Sequence, residues 1–120
     1  MARILVIDDE ADVRALLELV LKSKGHEVLL AADGKEGVKA YRQAPADVVV
    51  LDVFMPNQDG VETIRELRRE FPKVAIIAIS GKSAADPMLA VARQLGAAAV
   101  LEKPFSPEQL LNAIGEVLPP

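Results

Sequence analysis

The sequence contains no cysteine and a single histidine among its 120 residues. The lack of cysteine excludes a disulfide framework, a thiolate metal site and a cysteine nucleophile, and one histidine cannot build a site of several imidazoles. Aromatic residues make up only 3% of the chain and tryptophan is absent, so the core must be aliphatic. No uncharged apolar stretch approaches the length of a membrane helix, and the start of the chain runs directly into a strand-like segment without room for a signal peptide. We therefore expect a cytoplasmic protein that does not bind membranes.

A large excess of charge of one sign is also lacking. The chain has 18 acidic and 14 basic residues, which gives a net charge of −4. Proteins that bind nucleic acid electrostatically carry an excess of basic residues, which this chain does not have. We therefore expect no direct nucleic-acid binding. A hydrophobic content of 51% at this length is enough for one core and predicts a single domain over residues 1–120.

Five short apolar runs alternate with longer segments of helical spacing. The runs cover residues 4–7, 28–31, 48–51, 74–79 and 98–101, and the helical segments cover 11–24, 33–44, 61–71, 87–95 and 106–118. Continuous apolar runs are typical of strands buried on both faces of a parallel sheet. Strand followed by helix, five times, predicts an α/β doubly wound fold: a five-stranded parallel sheet in the order 2-1-3-4-5, with flavodoxin-like topology and five helices.

The helix ends and faces carry their own signals. Gly25 is a plausible stop for the first helix, and Asp33 and Ser106 each stand three residues before a Glu or Gln, as in a capping box. The spacing of the first helix predicts that one side of it is apolar, formed by Val13, Leu16, Leu17, Val20 and Leu21.

Three aspartates stand where the first and third strands end. In the predicted strand order the winding reverses between these two strands, and ligands of such sheets bind just outside the carboxyl ends at this point. Asp8, Asp9 and Asp52 would therefore share one crevice, where two charges about 4 Å apart repel by about 4 kcal/mol at an effective dielectric of 20. One aspartate could instead cap the following helix, but three together call for a cation or raised pKa values. Because the donors are all oxygens, Mg²⁺ fits best.

The fourth and fifth strands end in a complementary set of groups. Ser80, followed by Gly81, brings a hydroxyl to the same edge, and Lys103 brings an ammonium. Carboxylates, a metal ion, a hydroxyl and an ammonium are together equipped to accept a phosphoryl group, with an aspartate as the nucleophile.

The ordered set of motifs along the whole chain resembles the response-regulator receiver domain of two-component signalling. The motifs are Asp8-Asp9, Asp52 with Met55-Pro56 and Asp59-Gly60, Ser80-Gly81, and Lys103-Pro104-Phe105. The resemblance implies that Asp52 is the phosphoacceptor and that its donor is the phosphohistidine of a sensor kinase or of a phosphotransfer protein. The output would be altered binding to a downstream protein that the sequence does not name.

The resemblance also implies a role for each site residue. Asp9 and Asp52 would bind Mg²⁺ directly, Asp8 mainly through a metal-bound water, and the backbone carbonyl of Phe54 would complete the protein ligands. Ser80 and Lys103 would bind phosphoryl oxygens, and the Lys103–Pro104 peptide bond is a candidate cis bond.

Some positions depart from the family pattern. Val100 stands where the family often has a switching aromatic residue, so coupling through such a ring is in doubt, and Asn57-Gln58 replaces a frequent Gly-Met. Phe54 and Lys82 stand at positions that, by the resemblance, would tune how fast the phosphoryl group is lost. The fifth helix contains no basic residue, which disfavours a charge-paired dimer and favours a monomer or weak dimer.

Three alternatives remain at this stage. A flavodoxin-like electron carrier would share the topology, but the acidic residues after the first strand would repel a flavin phosphate. A small aspartyl-phosphate hydrolase would carry a second aspartate where Phe54 stands. An unphosphorylated binding module would be expected to have lost an acidic residue or Lys103.

Overall fold

The computed structural model describes residues 2–55, 60–81 and 87–118, with the backbone alone at 87–89. Strands and helices alternate throughout these residues, as predicted. Their order is β1 Arg3–Ile7, α1 Ala11–Ser23, β2 Glu27–Ala31, α2 Gly34–Gln43, β3 Val48–Asp52, α3 Gly60–Glu70, β4 Ile76–Ser80, α4 Pro87–Gln94, β5 Ala99–Glu102 and α5 Pro107–Val117. Within the described ranges, no helix combines the length and apolarity that crossing a membrane requires.

The five strands form one parallel sheet in the predicted order β2-β1-β3-β4-β5. The register places the strand ends side by side: Ile7 pairs with Leu51, Asp52 with Ile79, and Ser80 with Glu102. The reversal between β1 and β3 therefore opens at the edge where the carboxyl ends of four strands meet.

Burial along the strands follows their place in the sheet. In β1, β3 and β4, all residues except Arg3 are buried, which confirms the prediction from continuous apolar runs. The prediction is wrong for β2 and β5, whose residues are mostly half-buried or exposed. The reason is positional, because each of these two strands has a neighbouring strand on one side only.

Helices cover both faces of the sheet. One face packs under α2, α3 and α4, through residues such as Val38, Ile64 and Ala92. The other packs under α1 and α5, through residues such as Leu17 and Ile114. This division is what right-handed crossovers in this strand order require.

One predicted core residue is not in the core. Leu16 was expected on the buried side of α1, but 57% of it is exposed, whereas Leu17 and Leu21 are fully buried. Successive residues on a helix lie about 100° apart, so the stripe that contains Leu17 and Leu21 leaves Leu16 at its margin. Its side chain lines a surface groove together with Val13 and Phe105.

The helix ends follow the predicted signals. Gly25 and Gly96 come shortly after α1 and α4 with φ of 85° and 97°, a backbone region that favours glycine. Ser106 forms the complete capping box of α5. Asp33 accepts a hydrogen bond from the backbone N–H of Glu36 at 2.8 Å, which is the first half of the predicted box at α2.

Candidate functional site

The centre of the site is a lysine between two buried aspartates. Asp8 follows β1, Asp52 ends β3 and Lys103 follows β5. Asp8 is 0% exposed and Asp52 2%, so neither carboxylate can rely on bulk water for its solvation. The Nζ of Lys103 lies 3.1 Å from Asp8 Oδ2 and 3.1 Å from Asp52 Oδ2. The ammonium therefore bridges the two carboxylates across the switch point of the sheet.

Both aspartates are held in the same way. The Oδ1 of Asp8 accepts a hydrogen bond from the backbone N–H of Glu10 at 2.9 Å, and the Oδ1 of Asp52 accepts one from the N–H of Phe54 at 2.8 Å. In each case one oxygen turns back to the amide two residues ahead, which is an Asx turn, and the other oxygen faces Lys103. Asp8 thus fixes its own loop, while Glu10, the N-cap residue of α1, makes no side-chain capping hydrogen bond.

Two further carboxylates lie on the solvent side of this pair. Asp9 and Glu10 are exposed, and one oxygen from each of Asp8, Asp9, Glu10 and Asp52 lies within 4.8 Å of the others. Sequence reasoning did not include Glu10, whose only signal is its position directly after the aspartate pair. A compact set of carboxylate oxygens is the donor chemistry that suits a hard cation such as Mg²⁺, so the residues present fit that ion.

Burial shifts the pKa values of the two charged groups at the centre of the site, Asp52 and Lys103. Burial raises the pKa of Asp52, and the nearby Asp8 carboxylate raises it further, while the Phe54 N–H and Lys103 lower it by less. Burial lowers the pKa of Lys103, but the carboxylates of Asp52 and Asp8 more than offset this, so its pKa is raised overall. The raised pKa favours the charged form of the Lys103 ammonium, yet one ammonium does not neutralise the four carboxylates of the cluster. The site retains an excess of negative charge that favours a further cation.

Ser80 reaches the same edge as the last residue of β4. The residue is fully buried, and its backbone carbonyl accepts a hydrogen bond from the N–H of Lys103 at 2.7 Å. The Lys103–Pro104 peptide bond is cis. Lys82 and the loop residues Pro56, Asn57, Gln58 and Asp59 lie outside the described residues.

Gly60 brings α3 directly onto the end of β3. A Cβ atom at this position would overlap the Val53 Cα and lie 2.5 Å from the carbonyl oxygen of Asp52. Only a residue without a side chain allows this close approach of two backbones. The glycine thus sets the position of the strand end that carries Asp52.

Val100 and Phe54, the described positions expected to affect switching and phosphoryl lifetime, occupy different surroundings. Val100 is half-buried and packs against the core under α2–α4, opposite Ala78 in the register. Phe54 comes two residues after Asp52 in the sequence, and 47% of the residue is exposed. The expected effect of each position on switching and on phosphoryl lifetime stays a prediction.

A buried aspartate bridged by lysine, at the switch point of a 2-1-3-4-5 parallel sheet, defines the receiver class of signalling domains. The family model described as the response regulator receiver domain matches residues 4–115, and the chain belongs to this family. Domains of this family are signalling switches of two-component systems.

Individual relatives agree with the family assignment. The chain is 41% identical over 118 residues to a probable transcriptional regulator, ycf27, of Porphyridium aerugineum, covering 97% of this chain and 48% of the relative. It therefore spans about half the length of the curated relatives it matches. Among solved structures, the Vibrio cholerae chemotaxis protein CheY4 has a TM-score of 0.92 at 32% identity, covering 98% of this chain and 99% of that one. The receiver domain of NtrX from Brucella abortus has a TM-score of 0.90 at 30% identity, covering 96% and 97%.

Proposed function

We propose that this chain is the phosphoacceptor of a phosphorelay, in which Asp52 takes a phosphoryl group and thereby changes binding to a partner protein. The observation that carries the proposal is the Asp52 carboxylate, buried at the switch point, with one oxygen held by the Phe54 N–H and the other by Lys103. A carboxylate fixed in this way is oriented before the reaction, and orientation and charge neutralisation supply most of the catalysis of phosphoryl transfer.

The reaction is a displacement at phosphorus. A carboxylate oxygen of Asp52 forms the new P–O bond while the P–N bond of a donor phosphohistidine breaks, and the departing imidazole keeps the bonding electron pair. The product on this chain is an aspartyl phosphate. The Lys103 ammonium, already 3.1 Å from Asp52 Oδ2, would neutralise charge that the incoming group brings, and the Ser80 hydroxyl would donate a hydrogen bond to it.

The acidic cluster is the proposed Mg²⁺ site. Asp9, Asp52 and the backbone carbonyl of Phe54 would hold the ion directly and Asp8 through water, with Glu10 beside them. When bound, Mg²⁺ supplies positive charge that stabilises the transferring phosphoryl group. The support for this assignment is the oxygen-only donor set and the raised pKa of Asp52, whose first cause is burial.

The proposed partners are a sensor histidine kinase or a histidine phosphotransfer protein on the input side and a downstream protein on the output side. We propose a cytoplasmic monomer or weak dimer that makes no nucleic-acid contact through these residues, in keeping with the net charge of −4. The name transcriptional regulator belongs to relatives about twice as long as this chain.

The proposal predicts that Mg²⁺ and acetyl phosphate together add one phosphoryl group to the protein, as detected by intact mass. Asp52→Asn is expected to abolish the adduct, because the amide is a poor nucleophile. Asp12→Asn, the same change at an exposed position of α1, is the matched control and should leave the adduct in place. An unmodified wild-type protein, or equal modification of Asp52→Asn, would contradict the proposal.

The residue two positions after Asp52 is predicted to set the lifetime of the aspartyl phosphate. Replacing Phe54 with asparagine should shorten the phosphorylated half-life several-fold, because a polar side chain there can orient the attacking water that the Phe54 ring restricts. Decay of the purified phosphoprotein, followed by intact mass, measures this. Phe54→Leu keeps an apolar side chain and should decay at nearly the wild-type rate. A wild-type half-life no longer than that of Phe54→Asn would refute the prediction.

A further inference from the structure

Arg14 ties helix α1 to the loop that carries the acidic cluster. Its Nη1 donates a hydrogen bond of 2.7 Å to the backbone carbonyl of Asp8, and this contact is half-buried. Arg14 lies in the first turn of α1, where its own N–H donates to the carbonyl of Glu10. One residue therefore contacts the loop backbone on both sides of Asp9.

The carbonyl that Arg14 holds belongs to the peptide bond between Asp8 and Asp9. The side chain of Asp8 is fixed independently, because its two oxygens are bonded to the Glu10 N–H and to Lys103. Asp9 is exposed, so the direction of its carboxylate depends on the orientation of this peptide bond. No side chain caps α1 at Glu10, and the Arg14 contact supplies a tie between helix and loop that a cap would otherwise make.

We propose that Arg14 is a positioning residue of the cation site, which holds the Asp8–Asp9 peptide bond so that the Asp9 carboxylate faces the shared crevice. The inference rests on the proposed function, since it assumes that this crevice binds Mg²⁺. Groups that orient metal ligands without touching the ion typically change metal affinity 10–100-fold when they are removed.

The charge of Arg14 alone predicts the opposite change in Mg²⁺ affinity, so the two explanations can be told apart by experiment. The Arg14 guanidinium is a fixed positive charge bonded to the residue before Asp9, so it repels a divalent cation. If Arg14 acted only through its charge, its removal would tighten Mg²⁺ binding. If it acts by positioning Asp9, its removal weakens binding despite the lost repulsion.

The test is the Mg²⁺ dissociation constant of Arg14→Met, measured by titration calorimetry with MgCl₂ on the full chain. Methionine keeps an unbranched side chain of good helix propensity but cannot donate to the Asp8 carbonyl. We expect binding about tenfold weaker than in the wild type, at the low end of such effects. Lys22→Met is the matched control, because it removes the same charge from the last turn of α1, where Lys22 pairs with Glu18 at 3.0 Å, and it should leave the constant within about twofold.

Equal or tighter Mg²⁺ binding by Arg14→Met would overturn the inference and leave the proposed function intact. Absence of Mg²⁺ binding by the wild-type protein would overturn the proposed metal site, and this inference with it. Because the constant is measured on folded protein, a loss of stability alone does not imitate the expected result. If Arg14→Met does not fold, Arg14→Gln provides the same measurement, since its amide is too short to replace the guanidinium contact, and the same outcomes decide.

Discussion

Replacing Gly60 with alanine is expected to destabilise the protein by about 2 kcal/mol, although alanine is the better helix former. Overpacking a rigid contact costs up to about 3 kcal/mol, and the higher helix propensity of alanine returns about 1 kcal/mol. The overlap is the larger effect here because the new methyl group would meet the backbone of Val53 and the Asp52 carbonyl, neither of which can move away as a flexible side chain can. Helix α3 would have to shift off the end of β3.

Urea unfolding followed by circular dichroism measures this change, since the chain has no tryptophan to report it. Gly115→Ala in α5 is the matched control, because a Cβ there meets nothing within 4 Å. It should stabilise the protein by about 0.5–1 kcal/mol through helix propensity alone. A Gly60→Ala protein as stable as the wild type would show that α3 is not in tight contact with the end of β3, the strand that carries Asp52.

The order of elements and the place of the site could be predicted because both depend on local patterns. Strand runs and helical spacing fix the alternation, and the strand order then brings together the residues that follow each strand, such as Asp8, Asp52 and Lys103. A residue type at a strand end is therefore visible in the sequence before any packing is known. The exposure of β2 and β5 was missed because apolar composition does not distinguish an edge strand from a central one.

The contacts inside the site could not be predicted from the sequence. The sequence does not show that Asp8 and Asp52 each accept a hydrogen bond from the backbone N–H two residues ahead with one carboxylate oxygen. Nor does it show that the other oxygen of each carboxylate accepts one from Lys103. Glu10 and Arg14 were also missed, because their roles depend on the path of one loop after β1. Such details arise from side-chain packing at the junction of elements distant in sequence.

The lysine bridge predicts a large and metal-dependent effect of Lys103→Met. Without Mg²⁺ this variant should lose about 3 kcal/mol of unfolding free energy, because removing one partner of a buried ion pair leaves the other uncompensated. The loss should lie at the low end of the usual range, since the Lys103 side chain is 18% exposed and water can solvate the carboxylates in part once the ammonium is gone. Lys22→Met, at an exposed pair on α1, should change stability by less than about 1 kcal/mol.

Two comparisons distinguish the loss of the lysine–carboxylate ion pairs in Lys103→Met from a general loss of side-chain packing. Added Mg²⁺ should stabilise this variant more than the wild type, because the cation offsets repulsion that Lys103 otherwise reduces in the crevice. In an Asp52→Asn background, Lys103→Met should lower the free energy of unfolding by less, since one of the two buried carboxylates that pair with the ammonium is gone. Urea unfolding in EDTA and in Mg²⁺ supplies all of these values. Equal losses in both backgrounds would show that Lys103 stabilises the fold through its stem, and that the carboxylates do not depend on its charge.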